Sequence, residues 1–300
     1  MLQTDRSQAN APRICFIGFG EAGQAFAGGL LECGVTEIAA FDIAGSQERV
    51  RKPAEQLGVR LTDNLDDALT GADFVFSAVT AADSLDAARQ VAPRLVSGQI
   101  FVDVNSVSPG RKREAASVFA DSGAYLDLAI MAPVHPRRHA TPCLVAGEAA
   151  ERFIGIFEEV GMELTSAGPL IGSATIVKMV RSVMVKGLEA LTYECFMAAR
   201  IAGIDRQILD SLGRSYPGLD WQKVVPYNVS RMLEHGVRRA AEMREVALTL
   251  RELGIDPAVT EGVVLQQETL GRLPLQAEAN DGFAILDSVR AAFAGRIPEA

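Results

Sequence analysis

Lys178, Arg181, Ser182 and Lys186 fall within the stretch GSATIVKMVRSVMVKG at 172–187. Offsets of three, four and eight residues place them on one stripe of a helix. Glu189 and Tyr193 continue the stripe, while Ile176, Val177, Met179, Val180, Val183, Met184 and Val185 make the remainder apolar. A lysine heading such a line has two readings. Either the stripe faces water, or it borders a cavity where Lys178 exchanges a proton with a ligand. A lysine can act as a base once its pKa drops from about 10.4 toward about 7–8. Burial and the positive charge of Arg181, one turn away, both push in that direction.

A second constellation stands near the start of the chain. GFGEAG at 18–23 follows an apolar run and precedes a helix-length segment, fitting G-x-G-x-x-G. Gly18 allows the tight turn, Gly20 lets backbone approach a pyrophosphate, and Gly23 lets the helix pack closely on the strand. Phe19, Glu21 and Ala22 complete the turn, and the free N–H groups at the helix start suit phosphate. Asp42, at the end of the next apolar run, lies where an acidic residue reads the adenosine ribose hydroxyls. A carboxylate there favours NAD. Arg49, Arg51 and Lys52 follow it, which leaves NADP open, although an exposed helix face is the simpler account of them.

These residues need a scaffold, and the pattern supplies one. Apolar runs at 14–17, 37–41, 59–61, 74–79, 100–104, 125–130, 143–146 and 163–166 alternate for the most part with helical segments. Continuous apolar strands separated by helices suit a parallel sheet covered on both faces. Past residue 170 the pattern becomes helical: 173–201, 204–213, about 220–253 with a break near Pro226, 257–271 and 281–294. The expected architecture is an α/β Rossmann-type N-terminal domain plus an all-α C-terminal domain. Its parts are a loose tail at 1–12, a dinucleotide-binding domain at 13–170 and a helical substrate/dimerisation domain at 171–300. Lys178 then falls at the joint, a favoured place for ligands.

Bulk composition narrows the partners. The chain has 300 residues, a net charge of -9 and 48% hydrophobic residues. An acidic chain disfavours nucleic acid and anionic membrane. No apolar run is long enough to span a bilayer, and the polar N-terminus lacks the core of a signal peptide. Cys15, Cys33, Cys143 and Cys195 are scattered in apolar runs, which suits buried free thiols in the cytoplasm. Three histidines without metal-ligand spacing give no expected metal site.

Four motifs stand in order: GFGEAG at 18–23, DVNSVSP at 103–109, DLAIMAPVHPRRHATP at 127–142 and GSATIVKMVRS at 172–182. The series resembles the β-hydroxyacid dehydrogenase family, which includes 3-hydroxyisobutyrate dehydrogenase and the N-terminal part of 6-phosphogluconate dehydrogenase. The resemblance spans about 13–295 and points to a divergent branch with its own helical domain. It implies that Lys178 is the general acid/base, that Asn105 and Ser106 contact nicotinamide and substrate, and that Val79 and Thr80 run under the cofactor. Ser182 stands where most members carry asparagine. The usual D-A-P-V-S-G-G loop is replaced by Ala132-Pro133-Val134-His135-Pro136, and the usual K-D-L near Ala241-Glu242-Met243. The implied activity is hydride transfer between a nicotinamide cofactor and a small hydroxy acid or 3-hydroxy amino acid.

Other residues carry weaker expectations. His135 is a candidate substrate contact. Arg238 and Arg239 either clamp a carboxylate or pair with Glu234 and Glu242. Trp221 and Tyr227 either wall a pocket or pack between helices. The methionines of 179–197 read as adaptable core. The long helix at 173–201 and the helical tail suggest a homodimer. Rival functions are an imine reductase on the same fold and a non-catalytic NAD(H)-binding regulator.

Overall fold

The computed structural model describes residues 11–119, 125–276 and 282–293. Most of the expected tail at 1–12 lies outside the described residues. Two compact units divide the chain, 1–178 and 179–300.

The first unit alternates strand and helix: β1 (Ile14–Ile17), α1 (Glu21–Glu32), β2 (Ile38–Phe41), α2 (Glu48–Leu57), β3 (Arg60–Thr62), α3 (Leu65–Leu69), β4 (Phe74–Ser77) and α4 (Ser84–Val91). It continues with β5 (Ile100–Asp103), α5 (Pro109–Ser117), β6 (Tyr125–Ile130), β7 (Cys143–Ala146), α6 (Ala150–Glu158) and β8 (Leu164–Ser166). The strands form one sheet in the order β3-β2-β1-β4-β5-β6-β7-β8. Alternate residues feed opposite faces. Ile14 and Phe16 join Phe74, Phe76, Phe153 and Phe157 on one side. Cys15 and Ile17 join Val75, Phe101 and Phe119 on the other. This explains the unbroken apolar runs, because each strand has both faces covered. Burying one such phenylalanine contributes about 1.5–3 kcal/mol.

Strand–helix alternation predicts a parallel sheet, and β7 departs from it by running antiparallel to β6. The connection at 131–142 holds only a 3-10 turn, Arg138–Ala140. Without a helix to carry it across the sheet, the chain returns beside β6 in the opposite sense.

Helix α7 (Ser173–Ala202) begins in the first unit and continues through the second, which adds α8 (Asp205–Ser215), α9 (Trp221–Glu252), α10 (Ala258–Gly271) and α11 (Ala284–Phe293). Phe196, Val225, Val229, Met232, Met243, Leu270 and Leu286 fill the helical core. Helices α9 and α10 meet backbone to backbone. A Cβ on Gly236 would lie 2.2 Å from the Gln267 carbonyl oxygen, and one on Gly271 would lie 2.7 Å from Gly236 Cα. The expected break at Pro226 does not occur, since α9 runs through it. Pro226 sits in the second turn with its ring buried, so one forfeited backbone bond is offset by packing.

Candidate functional site

The site begins where the sheet changes winding direction, between β1 and β4. Ile17 pairs with Phe41 on one side and Ser77 on the other, and Ser77 pairs with Asp103. The turns after β1, β2, β4 and β5 therefore emerge side by side at the carboxyl end of the strands, where ligands of such sheets bind.

Gly18 adopts φ 86°, and a Cβ there would lie 2.6 Å from the Ala78 carbonyl oxygen. Only glycine fits that combination. A Cβ on Gly23 would meet the Gly18 carbonyl oxygen at 2.8 Å, so α1 rests directly on the turn. Gly20 caps α1, and a Cβ there would meet no atom within 4 Å. The backbone at Gly20, Glu21 and Ala22 can thus be approached closely by an anion. Asp42 ties the turn to β2. Its Oδ2 accepts the Phe19 N–H at 2.7 Å and its Oδ1 accepts the Ala44 N–H at 2.7 Å. Each oxygen keeps further acceptor capacity for a ribose hydroxyl. Arg49, Arg51 and Lys52 are exposed, with Arg51 paired to Glu55. Val79 is half-buried, while Thr80 is exposed and donates to Asp83.

After β5, Lys178 Nζ donates to Ser106 Oγ at 2.7 Å, and both residues are half-buried. Asn105 is 4% exposed. Its N–H donates to Asp103 Oδ1 at 2.8 Å and its Nδ2 to Ser77 Oγ at 3.0 Å. Its Oδ1 is buried with no partner within the protein. A buried unpaired acceptor is costly, and a ligand donor such as a carboxamide N–H would satisfy it.

Sequence reasoning missed the ionic network beneath this pair. Lys112, fully buried, lies 3.0 Å from Asp103 Oδ1 and 3.4 Å from Asp127 Oδ1, and donates to the Asp103 carbonyl oxygen at 2.7 Å. Tyr125 donates to Asp103 Oδ2 at 2.7 Å. Burial, then the nearby Asp103 charge, pushes the Tyr125 hydroxyl well above its ordinary pKa, so it stays protonated. Asp103 and Asp127 are cross-strand partners on β5 and β6. Two adjacent buried carboxylates repel, and Lys112 between them relieves the repulsion. The signal was available: each is the sole charge in an otherwise apolar strand, and a buried charge must be paired.

Other candidates fall elsewhere. His135 is exposed. Ser182 is buried and accepts from Lys186 Nζ at 3.3 Å, and Lys186 pairs with Glu242 at 2.9 Å. Past Lys178 the polar line therefore divides: Ser182, Lys186 and Glu189 turn inward, whereas Arg181 is exposed, as are Val180, Met184 and Leu191. Arg239 pairs with buried Glu189, which also accepts from Gln267 at 2.9 Å, and Arg238 pairs with Glu242. Burial raises the Glu189 pKa and lowers that of Arg239, as expected when both charges leave water. His235 lies 3.4 Å from Glu234. Trp221 is core, packed on Phe196 and Tyr216, whereas Tyr227 is exposed. Met179 and Met197 are buried, but Met184 is 73% exposed. All four cysteines are free; Cys15 and Cys143 are buried as expected, while Cys33 and Cys195 are exposed. Among the described residues no helix is long and apolar enough to cross a membrane.

Known proteins match both halves. Residues 13–106 match the family described as NADP oxidoreductase, coenzyme F420-dependent, and residues 199–270 match a domain of unknown function, DUF1932. An uncharacterized 28.5 kDa protein from the 7S RNA 5′ region of Methanothermus fervidus is 31% identical over 78% of this chain and 89% of its own length. A conserved hypothetical protein from Sinorhizobium meliloti is 35% identical, with 95% and 98% of the two chains covered and a TM-score of 0.76. A further conserved protein, described as structurally similar to 3-hydroxyacid dehydrogenases, is 31% identical over 86% and 96%, with a TM-score of 0.70. More distantly, Mycobacterium tuberculosis 3-hydroxyisobutyrate dehydrogenase with L-serine shares the fold at 16% identity over 94% and 100%, with a TM-score of 0.73. An imine reductase from Myxococcus stipitatus shares it at 20% over 92% and 99%, with a TM-score of 0.55. With relatives above 30% identity matched along most of both chains, this protein belongs to the β-hydroxyacid dehydrogenase family, in the branch that joins an NAD(P)-binding half to the helical DUF1932 domain.

Proposed function

We propose that this protein is an NAD(P)-dependent oxidoreductase acting on the CH–OH group of a small hydroxy acid or 3-hydroxy amino acid, with Lys178 as general acid/base. The observation that carries the reading is the 2.7 Å hydrogen bond from Lys178 Nζ to Ser106 Oγ, set beyond strands whose neighbouring turn is built for a dinucleotide. A bound nicotinamide dinucleotide supplies the hydride acceptor in oxidation and the hydride donor in reduction. Gly18, Phe19, Gly20, Glu21, Ala22 and Gly23 hold its pyrophosphate, Asp42 its ribose, and Val79 and Thr80 line its path. Asn105 offers its buried Oδ1 to the nicotinamide side. Ser106 holds the substrate hydroxyl. Neutral Lys178 takes the hydroxyl proton as the carbon loses hydride, and returns it when the carbonyl is reduced. His135 and Ser182 are the further substrate contacts of this reading.

Several finer assignments follow. Asp42 makes NAD the preferred cofactor, because a carboxylate held in the turn repels a 2′-phosphate, while the Arg49, Arg51 and Lys52 side chains are exposed. Residues 171–300 serve as substrate and dimerisation domain, and exposed Met184 and Leu191 support a homodimer. Free cysteines support a reducing cytoplasm.

A panel of hydroxy acids, 3-hydroxy amino acids and cyclic imines tests the activity. Nicotinamide reduction with a hydroxylated substrate is the expected result. Turnover of imines alone would overturn the alcohol assignment, and cofactor binding without any turnover would make the protein a sensor. For the cofactor, the ratio of kcat/KM with NAD to that with NADP is compared in the wild type and Asp42→Ser. Both rates fall, since Asp42 also anchors Phe19; the ratio is the readout. An unchanged ratio would show that Asp42 does not read the ribose.

A further inference from the structure

Two arms lead away from the Lys178–Ser106 hydrogen bond, and both return to the same buried ion cluster. Along the first arm, Ser106 follows Asn105, whose backbone N–H donates to Asp103 Oδ1 at 2.8 Å. Along the second, Lys178 lies one turn beyond Thr175. The Thr175 N–H donates to Asp127 Oδ2 at 3.0 Å, and the Gly172 N–H donates to the same oxygen at 3.2 Å. Those amides open α7, and the first turn of a helix has no carbonyls of its own to receive them. Lys112 closes the circuit, placed within 3.4 Å of one oxygen of each aspartate.

We propose that the buried Asp103–Lys112–Asp127 cluster is a positioning frame for the Lys178–Ser106 pair, with Asp127 as the positioning residue that fixes the start of α7. The proposal rests on the reading of Lys178 given above, but not on the identity of the substrate.

Three features separate a frame from incidental ballast. The cluster is unexposed: Lys112, Asp103 and Asp127 are all at 0%. A buried set of two acids and one base is a weak source of stability, since the desolvation of three charges offsets their attraction. Its contribution is instead directional. Asp127 is held from two sides: Oδ2 takes the two α7 amides, and Oδ1, which accepts no hydrogen bond, faces the Lys112 charge at 3.4 Å. A carboxylate at a helix start also suits the positive end of the helix dipole. Asp103 is committed in the same manner, to Asn105, Tyr125 and Lys112. Neither carboxylate can rotate without breaking a bond to one arm or to the lysine. The two arms are therefore held at a fixed separation, and the separation sets whether a single hydroxyl can meet Ser106 and Lys178 together. Acid–base chemistry is sensitive to such placement; a displacement of about 1 Å costs on the order of 100-fold in rate.

The test uses the full-length protein with Asp127→Ala and Asp127→Asn. Asparagine keeps an oxygen for the two α7 amides; alanine keeps none. Asp127→Ser, whose hydroxyl is too short to reach both amides, replaces alanine should that variant not fold. Each protein is labelled with 15N-lysine, and the Lys178 side-chain resonance is assigned by its loss in Lys178→Met. Steady-state kcat and KM, NADH affinity and Tm are measured alongside. The expected result is a shifted Lys178 resonance in Asp127→Ala, a kcat lower by about 10–100-fold, and KM and NADH affinity within about threefold of wild type. Asp127→Asn should recover the wild-type resonance and most of kcat. A Lys178 resonance that stays in place in every variant, with only Tm lowered, would overturn the frame and leave Asp127 a stabilising helix cap. The resonance reads position without turnover. If the wild type oxidises no hydroxylated substrate, the functional reading fails while the resonance still decides the frame.

Discussion

The two units of this chain bury similar things and differ in what they leave outside. The sheet unit takes its phenylalanines inside and, among the described residues, leaves few large apolar side chains outside: Ile43, Val96, Leu170 and Val177. The helical unit is shorter, yet it exposes Val180, Met184, Leu191, Ile201, Val237, Leu248, Val259 and Leu265, along with several others. It also draws Lys186, Glu189 and Arg239 inward. The sheet unit has the surface of a finished domain, its buried charges gathered beneath the Lys178–Ser106 pair. The helical unit has the surface of a component, with apolar area on the outside of a core partly tied by ions. Isolated exposed leucines are ordinary; their number on one small unit is the observation behind the homodimer proposed above.

That contrast can be broken most forcefully at the chemistry. Lys178→Ala should lower kcat by about 10²–10⁴-fold while NADH affinity, which the proposed reading assigns to the glycine turn, changes little. Stopped-flow turnover and fluorescence titration read the two separately. Retention of more than about a tenth of wild-type kcat would move the acid/base role to another residue.

Next in size is the ion pair inside the helical unit. Glu189→Ala leaves Arg239 buried without its carboxylate and should cost about 3–5 kcal/mol. The double change Glu189→Leu with Arg239→Met should cost far less, because both desolvated charges leave together. Urea unfolding followed by the fluorescence of Trp221, the sole tryptophan, reads this unit directly. Equal losses in the single and double variants would show that packing, not charge, decides the site.

A third change tests the outward apolar face. On the homodimer proposed above, Met184→Lys combined with Leu191→Lys should shift sedimentation from dimer to monomer, with stability altered by about 0.5 kcal/mol or less per site. An unaltered sedimentation coefficient would place any contact elsewhere.

The smallest effect separates the units by pH. Burial holds the His139 imidazole below its ordinary 6.5, so its contribution is complete above that value and is lost as the pH falls toward the folded-state pKa. Glu189 runs the other way. Burial raises its pKa above 4.5, so its contribution is complete below that value and is lost as the pH rises through the folded-state pKa. Acidification should weaken the amide protection of β1 and β4 more than it alters the Trp221 transition. His139→Gln should flatten the response of the sheet unit. Parallel acid responses in both units would remove His139 as the cause.

The sheet was legible because its strands are apolar on both faces, and a run such as FVFS at 74–77 has few alternatives. The direction of β7 was not, since CLVA reads the same in either sense; the missing helix at 131–142 decides it. The glycine turn was legible because G-x-G-x-x-G and Asp42 each do a local job. Ser106 and Lys178, 72 residues apart, came together on the page only through family resemblance, and the 2.7 Å bond gives that resemblance a geometry. Asp103 and Asp127 escaped notice as a pair because a lone acid in an apolar strand does not name its partner; cross-strand register makes them neighbours. For the polar stripe of α7, facing water and lining a cavity were both open readings; Ser182, Lys186 and Glu189 turn inward while Arg181 stays exposed, so neither describes the whole stripe.

One feature of the helical unit shapes which sequences can adopt it. At Gly236 and Gly271 two helices touch through bare backbone, leaving no side chain to flex out of the way. In a mutational scan these positions should stand out as narrow intolerant points on helices that otherwise accept change, although they carry no charge and perform no chemistry. Alanine, the best helix former, should fail there as surely as leucine. A homologue with alanine at one of them would have to move the α9–α10 axes apart and re-cut the core around Leu270 and Met243 to match. The identity of two hydrogen atoms thus fixes the spacing of the hairpin and, through it, the permissible volume of everything packed beside it.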